Sequence, residues 1–294
     1  MTMNTERRFP HWLKVKMPSG QNYNDLRHKM RESSLHTVCE EARCPNIGEC
    51  WERKTATFMI LGDTCTRACT YCAVNTGTPN GLDLEEPIRL AQTVESMLLN
   101  YVVITSVNRD DLPDGGAFIF SQCIKQIKKR LPECKVEVLT PDFEGNFDSL
   151  STVVNAGPQT FNHNIETVRR IFPRVRAKGN YDLSLKVLSS VKQISGSMVT
   201  KSGIMVGLGE TMDEITQTMK DLRDSDVDLL TVGQYLRPSE KHAPISKWYT
   251  PDEFKNIEVS GLELGFKHVA SGPLVRSSYH ADEQHEAASL VHIQ

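Results

Sequence analysis

The 294-residue sequence contains no apolar run approaching the roughly 20 residues that a bilayer-spanning helix requires, so no membrane association is expected. Neither sign of charge dominates. Lys and Arg number 34 against 37 Asp and Glu, a formal net charge of −3, so there is no global basic field of the kind that drives nucleic-acid binding. The opening residues, MTMNTERRFPHWLKVKMPSG, lack the apolar core of a secretory signal, which leads us to expect a cytoplasmic protein. No internal repeat of fixed period and no low-complexity segment occurs. With 39% hydrophobic and 24% charged residues, the composition suits a globular chain of one large or two small domains.

Cysteine is distributed far from evenly. Of eight cysteines, six fall between Cys39 and Cys72, and they form two tight trios. In a reducing compartment clustered thiols point to metal ligation before disulfides. The remaining two, Cys123 and Cys134, are isolated and read as small buried hydrophobes.

From Thr57 onward, short β-rich runs alternate with helical patterns. Strands are predicted at Thr57–Ile60, Tyr101–Thr105, Lys135–Leu139, Thr160–His163, Met198–Val206 and Leu229–Val232. Helices are predicted at Pro87–Asn100, Ala117–Leu131, Asn146–Asn155, Tyr181–Ile194, Met212–Ser225 and Pro251–Gly265. Alternation with short links implies parallel strands and crossover helices. Six such units are too few for the closed eight-fold barrel. The expected fold is therefore α/β, a partial (β/α)6 barrel over residues 57–267, with ligands bound at the C-terminal ends of its strands. Residues 1–56 form an extension that is expected to need metal for order, and residues 268–294 a tail outside the repeat.

Cys65, Cys69 and Cys72 form CxxxCxxC directly after the first predicted strand. Three thiolates suit an iron–sulfur cube and leave one of its four irons open to a small chelating cofactor. A zinc knuckle is the plain alternative, but it requires a fourth Cys or His that no short loop here supplies. Tyr71 completes a pattern that resembles the radical S-adenosylmethionine (SAM) superfamily, CxxxCxΦC with Φ aromatic. In that superfamily an electron from the cluster cleaves SAM and yields a hydrogen-abstracting radical. Lys201-Ser202-Gly203, leading into IMVGLGE and Glu210, is similar to the superfamily's adenine-contacting glycine strand. An ordinary buried strand ending in a turn would read the same way. Asn164 and Glu166, at the end of the fourth strand, suit ribose or methionine binding, or form a plain polar loop. Thr105 and Ser106 lie where the superfamily places polar groups for the methionine amine.

The other trio, Cys39, Cys44 and Cys50 in VCEEARCPNIGECW, makes the resemblance specific. Together with CTRACTYC, VNRDDLPDGGA, FNHNIETV and RSSYHA, it resembles the lipoyl synthase family from about Pro10 to Ala281. The resemblance implies two 4Fe–4S clusters and SAM. The first trio would hold an auxiliary cluster completed by a serine of the C-terminal RSSY, with Ser278 favoured over Ser277. It implies insertion of sulfur at carbons 6 and 8 of an octanoyl group on a lipoyl carrier protein, such as an E2 subunit or the glycine-cleavage H protein. The auxiliary cluster would be the sulfur donor. A ferredoxin or flavodoxin electron donor and a cluster-repair protein are implied as further partners. A saturated chain offers no polar handle, so an apolar, narrow tunnel is expected. Rival readings are another sulfur-inserting radical SAM enzyme, one whose auxiliary cluster only relays electrons, and a non-enzymatic cluster carrier.

Overall fold

The computed structural model describes residues 9–14, 20, 23–24, 27–28, 36–37, 40, 44–53 and 55–290. In chain order the elements are β1 (His36–Thr37), α1 (Ile47–Glu52), β2 (Ala56–Ile60), the two-residue strands β3 (Thr64–Cys65) and β4 (Asn75–Thr76), and α2 (Glu86–Ser96). They continue with β5 (Tyr101–Ser106), α3 (Ala117–Arg130), β6 (Lys135–Leu139), α4 (Phe147–Asn155), β7 (Thr160–Asn162), α5 (Phe172–Val175), α6 (Tyr181–Ile194) and β8 (Val199–Val206). The last elements are α7 (Met212–Asp224), β9 (Leu229–Gln234), α8 (Pro251–Glu263), β10 (His268–Gly272) and α9 (Ala281–Leu290).

The main sheet has the order β1-β2-β5-β6-β7-β8-β9-β10, and among the described residues β1 does not pair with β10. It is an open, partial barrel whose strands from β2 onward are parallel, with β1 antiparallel at the edge. The predicted strand–helix alternation is present. It runs one strand further than expected, because His268–Gly272 pairs in parallel with Leu229–Gly233 instead of lying in a tail. The N-terminal extension also contributes to the sheet, since His36 and Thr37 pair with Met59 and Phe58.

Side-chain alternation divides each strand between two environments. Val102, Ile104, Val136, Val138 and Phe161 face the outer helices and join one apolar core with Leu90, Phe120 and Val153. Ile204, Val206, Leu230 and Val232 join another with Leu188, Ile215 and Ile257. Helix starts are set locally. Thr211–Glu214 and Thr250–Glu253 are complete capping boxes, and Asn146 and Asn180 accept from the first-turn amides of α4 and α6.

The inward positions are largely polar. Lys201 and Glu137 are both fully buried and pair at 3.0 Å, and Glu137 also accepts from Tyr101 Oη at 2.9 Å and Asn162 Nδ2 at 3.1 Å. Helix α9 packs against this end of the sheet. Ala281 contacts Tyr101 and Val103, Ala288 contacts Val199 and Leu229, and the His285 ring meets Thr160 Oγ1 at 3.1 Å. Those three positions, spaced by four and then three residues, lie on one helical face. The barrel interior at this end, where the strands begin, is therefore filled by an ion pair and a helix.

Breaking a fully buried ion pair typically costs about 3–5 kcal/mol, because the surviving charge is left unsolvated. Glu137→Ala is expected to lose about that much in chemical unfolding. The double variant Glu137→Leu/Lys201→Met is expected to recover most of it. A double variant no more stable than the single one would contradict this account.

Candidate active site

The cysteine loop after β2 is held from below by a buried arginine. Arg67 donates from Nε to Asp110 Oδ2 at 2.9 Å, and from Nη1 and Nη2 to both Asp142 oxygens at 2.7 Å. Burial alone would lower the Arg67 pKa, but the bonds to Asp142 and Asp110 outweigh it and hold the cation firmly protonated. Burial likewise opposes ionisation of Asp142, yet Arg67 draws its carboxyl down to about 2. The loops after β2, β5 and β6 are thus tied through one guanidinium, whose planar fork suits bidentate carboxylates. Beside it, the Arg67 and Asn108 amides both point at Cys65 Sγ, at 3.4 and 3.3 Å.

Cys65, Cys69, Tyr71 and Cys72 line a cleft with Thr105, Ser106, Asn164 and Glu166. These are the predicted residues, brought together at the C-terminal ends of β5, β6 and β7. Burial raises the Cys69 thiol, and it raises Cys72 to about 11, so metal binding must displace their protons. Among the described residues no three Cys, His, Asp or Glu side chains are grouped as around a single metal ion. In a cube, each thiolate takes its own iron.

The cleft also fits a polar organic cofactor. Ser106 Oγ, Thr140 Oγ1 and Asn164 Oδ1 are buried there without a hydrogen-bond partner. An orphaned buried polar atom typically costs about 1–3 kcal/mol, so a ligand that satisfies these three gains accordingly. Glu166 and Arg176 bring opposite charges to the same cleft, a match for the amine and carboxylate of an amino acid. Desolvation raises the Glu166 carboxyl, opposed by Arg176. Glu166 holds a left-handed backbone, φ 70°, fixed by its amide bonding Gly203 O at 2.9 Å and its carbonyl accepting from Met205 N at 2.7 Å. Strain of this kind persists only where the surroundings over-determine it.

Three predicted cofactor contacts fall elsewhere. Lys201 does not reach the cleft, because its ammonium is drawn inward to Glu137. Glu210 turns back on its own loop and accepts from the Gly207 and Leu208 amides at 2.5 and 2.9 Å. Gly203 lies under the cleft instead of lining it. A Cβ there would stand 2.7 Å from Asn164 Oδ1 and 2.9 Å from Thr231 Oγ1, so glycine is needed for Asn164 to pack. His163 is buried between Thr140 O at 2.9 Å and Ser184 Oγ at 3.1 Å, a structural role. Cys123 and Cys134 are buried in the core.

Of the other trio, Cys39 lies outside the described residues, while Cys50 sits in α1 and Cys44 just before it. The C-terminal RSSY segment is docked along this element. Asn46 Nδ2 donates to Leu274 O at 2.6 Å. Tyr279 Oη donates to Glu49 at 3.2 Å, and His280 Nε2 meets Glu49 Oε1 at 2.9 Å. Arg53 closes the clamp on Glu283 at 2.5 Å. Ser277 and Ser278 are therefore held between two anchor points on the Cys44–Cys50 segment. Arg276 is half-buried and close enough to Cys44 to act on it electrostatically. Burial raises the Cys44 thiol and the arginine charge opposes that rise. The Arg67 and Glu49 clamps were not foreseen from the sequence. The DD of VNRDDLPDGGA and the YH of RSSYHA were visible in it, without their partners.

The family model of the radical SAM superfamily matches residues 59–222, and that of the N-terminal domain of lipoyl synthase matches residues 2–44. The chain is 59% identical over 279 residues to the lipoyl synthase of Rubrobacter xylanophilus, covering 95% of this chain and 87% of the relative. It is 55% identical over 284 residues to that of Halalkalibacterium halodurans, covering 96% and 94%. Among solved structures, methylornithine synthase superposes with a TM-score of 0.53 at 17% identity, over 84% of this chain and 74% of that one, a likeness of fold. With both trios present in the sequence and relatives this similar along nearly its whole length, the chain belongs to the lipoyl synthase family of radical SAM enzymes.

Proposed function

We propose that the two halves of the reaction are divided between the trios. Cys65, Cys69 and Cys72 hold the SAM-cleaving cluster. Cys39, Cys44, Cys50 and Ser278 hold the cluster that surrenders sulfur to carbons 6 and 8 of the octanoyl chain. When bound, the first cluster and SAM supply radical hydrogen abstraction and the second supplies sulfide. The protein's part is positioning. Arg67 fixes the cysteine loop, Ser106, Thr140 and Asn164 offer three unmet polar atoms, and Glu166 and Arg176 orient a zwitterion. Val74, Val107, Leu139 and Pro141 form the cleft's apolar wall, where a hydrocarbon chain can lie with water excluded.

The observation that supports the assignment is the docking of Leu274–Glu283, the segment bearing Ser277 and Ser278, along the element that carries Cys44 and Cys50. The substrate is an octanoylated carrier protein, for which we favour E2 subunits and the glycine-cleavage H protein. A ferredoxin or flavodoxin donor, a cluster-repair protein and a cytoplasmic location belong to the same proposal. The reducing conditions that thiolate cluster ligands require support the last of these. Among the described residues no helix is long and apolar enough to cross a membrane.

The test is to incubate the reconstituted enzyme with SAM, reductant and an octanoylated carrier peptide, and to measure the intact mass of the peptide alongside the iron content. A gain of two sulfurs, with about eight irons per chain, is expected from two cubes. About four irons with zinc on the first trio would overturn the two-cluster assignment.

A further inference from the structure

On the other side of the cysteine loop lies a second groove, lined by Thr70, Arg170, Arg174, Lys241 and His242 among others, with no carboxylate among the described residues of its lining. Among the described residues none lines both this groove and the cleft. Arg170 is partnered by Glu214 at 2.6 Å, whereas Arg174 and Lys241 are exposed and form no ion pair among the described residues. The cysteine loop contributes one residue, Thr70, to the groove's lining. Thr70 lies between Cys69 and Tyr71 and is exposed. Its carbonyl accepts from Ala243 N at 2.9 Å, and its amide donates to Val175 O at 2.8 Å. His242 Nε2 donates to Cys72 O at 2.9 Å. His242 Nδ1 lies 2.8 Å from Ser239 Oγ.

Each SAM cleaved consumes one electron, which enters the cluster from outside the chain and leaves its donor oxidised by one electron. Resting on the assignment of Cys65, Cys69 and Cys72 as cluster ligands, we propose that this basic groove docks a small, low-potential one-electron carrier protein through an acidic face. Charge complementarity suits a brief, salt-sensitive encounter. The groove also reaches the backbone of the cluster loop without entering the substrate cleft, so a donor could dock while substrate is bound. An octanoylated carrier fits the groove poorly, because its alkyl chain must enter a cleft that, among the described residues, shares no lining residue with it.

The test uses the reconstituted full-length enzyme and its Arg174→Glu/Lys241→Glu variant, with reduced flavodoxin as the probe and dithionite as the control reductant. For the variant, the KM for flavodoxin in 5′-deoxyadenosine release at low salt is expected to rise about tenfold, with the dithionite-supported rate changed less than about twofold. Arg174→Lys/Lys241→Arg should behave as the wild type. If the double reversal fails to fold, Lys241→Gln alone should raise that KM about threefold. An unchanged KM for flavodoxin overturns the proposal. So does a raised KM for the octanoylated carrier under dithionite, which would give the groove to the substrate protein instead. Failure of the wild type to cleave SAM with dithionite would strike the cluster assignment itself, an outcome distinct from either.

Discussion

Replacing Cys65, Cys69 or Cys72 with Ala is expected to reduce both 5′-deoxyadenosine release and lipoyl formation to background. Replacing Cys44 or Cys50 is expected to leave SAM cleavage within about tenfold of wild type while abolishing lipoyl formation. The asymmetry follows from placement. The first three thiols line the cleft that carries the unmet polar atoms and the Glu166–Arg176 pair. Cys44 and Cys50 belong to a different element, α1 and its approach, anchored to the C-terminal segment. Chromatography of 5′-deoxyadenosine and of the carrier peptide from purified, iron-analysed variants measures both quantities at once. Wild-type lipoyl yield from Cys44→Ala would end the proposed division of labour. Loss of SAM cleavage in Cys50→Ala, with iron retained on the other trio, would show that the two sites are not separable in this way.

The parts of this arrangement legible in the sequence are those that depend on near neighbours. CxxxCxxC lies within one loop, and the strands Lys135–Leu139 and helix Tyr181–Ile194 were read to the residue from local periodicity. What escaped was set by distant partners. Lys201 was placed on the right strand, but its direction was decided by Glu137, 64 residues away. The Arg67 clamp spans 75 residues to Asp142. Strand His268–Gly272 was missed for a different reason. Only Val269 in it is buried, so HVASG carries neither a hydrophobic run nor an alternation, and it is a strand only because β9 presents an edge to it. Gly233 shows a similar dependence on distant chain, since a Cβ there would collide with the carbonyl of Val275 where the C-terminal segment crosses the sheet.

Each reconstituted chain is expected to make at most about one lipoyl group when no iron or sulfide is supplied, since a 4Fe–4S donor that gives up two sulfides is no longer a cube. The reason for expecting a donor at all is the proposed ligand set. A cluster kept only for electron relay gains nothing from an oxygen ligand, whereas soft iron–sulfur sites hold thiolate more firmly than alkoxide. Here the segment bearing Ser277 and Ser278 is clamped from both sides, by Asn46 on Leu274 and by Glu49 and Arg53 on Tyr279, His280 and Glu283. The proposed serine ligand would thus be presented on a well-held backbone, and its lability would belong to the oxygen and not to a loose loop. Ser278→Cys keeps that backbone and changes only the donor atom. It is expected to retain the auxiliary iron and leave 5′-deoxyadenosine release near wild type, while slowing sulfur delivery about tenfold or more. Enzyme reconstituted with ³⁴S-sulfide should place both heavy atoms in a single product molecule and then stop. Many turnovers per chain without added sulfide, or unlabelled product from the ³⁴S enzyme, would mean that the sulfur comes from elsewhere. The second trio would then be a relay or a scaffold, even in a chain of this family.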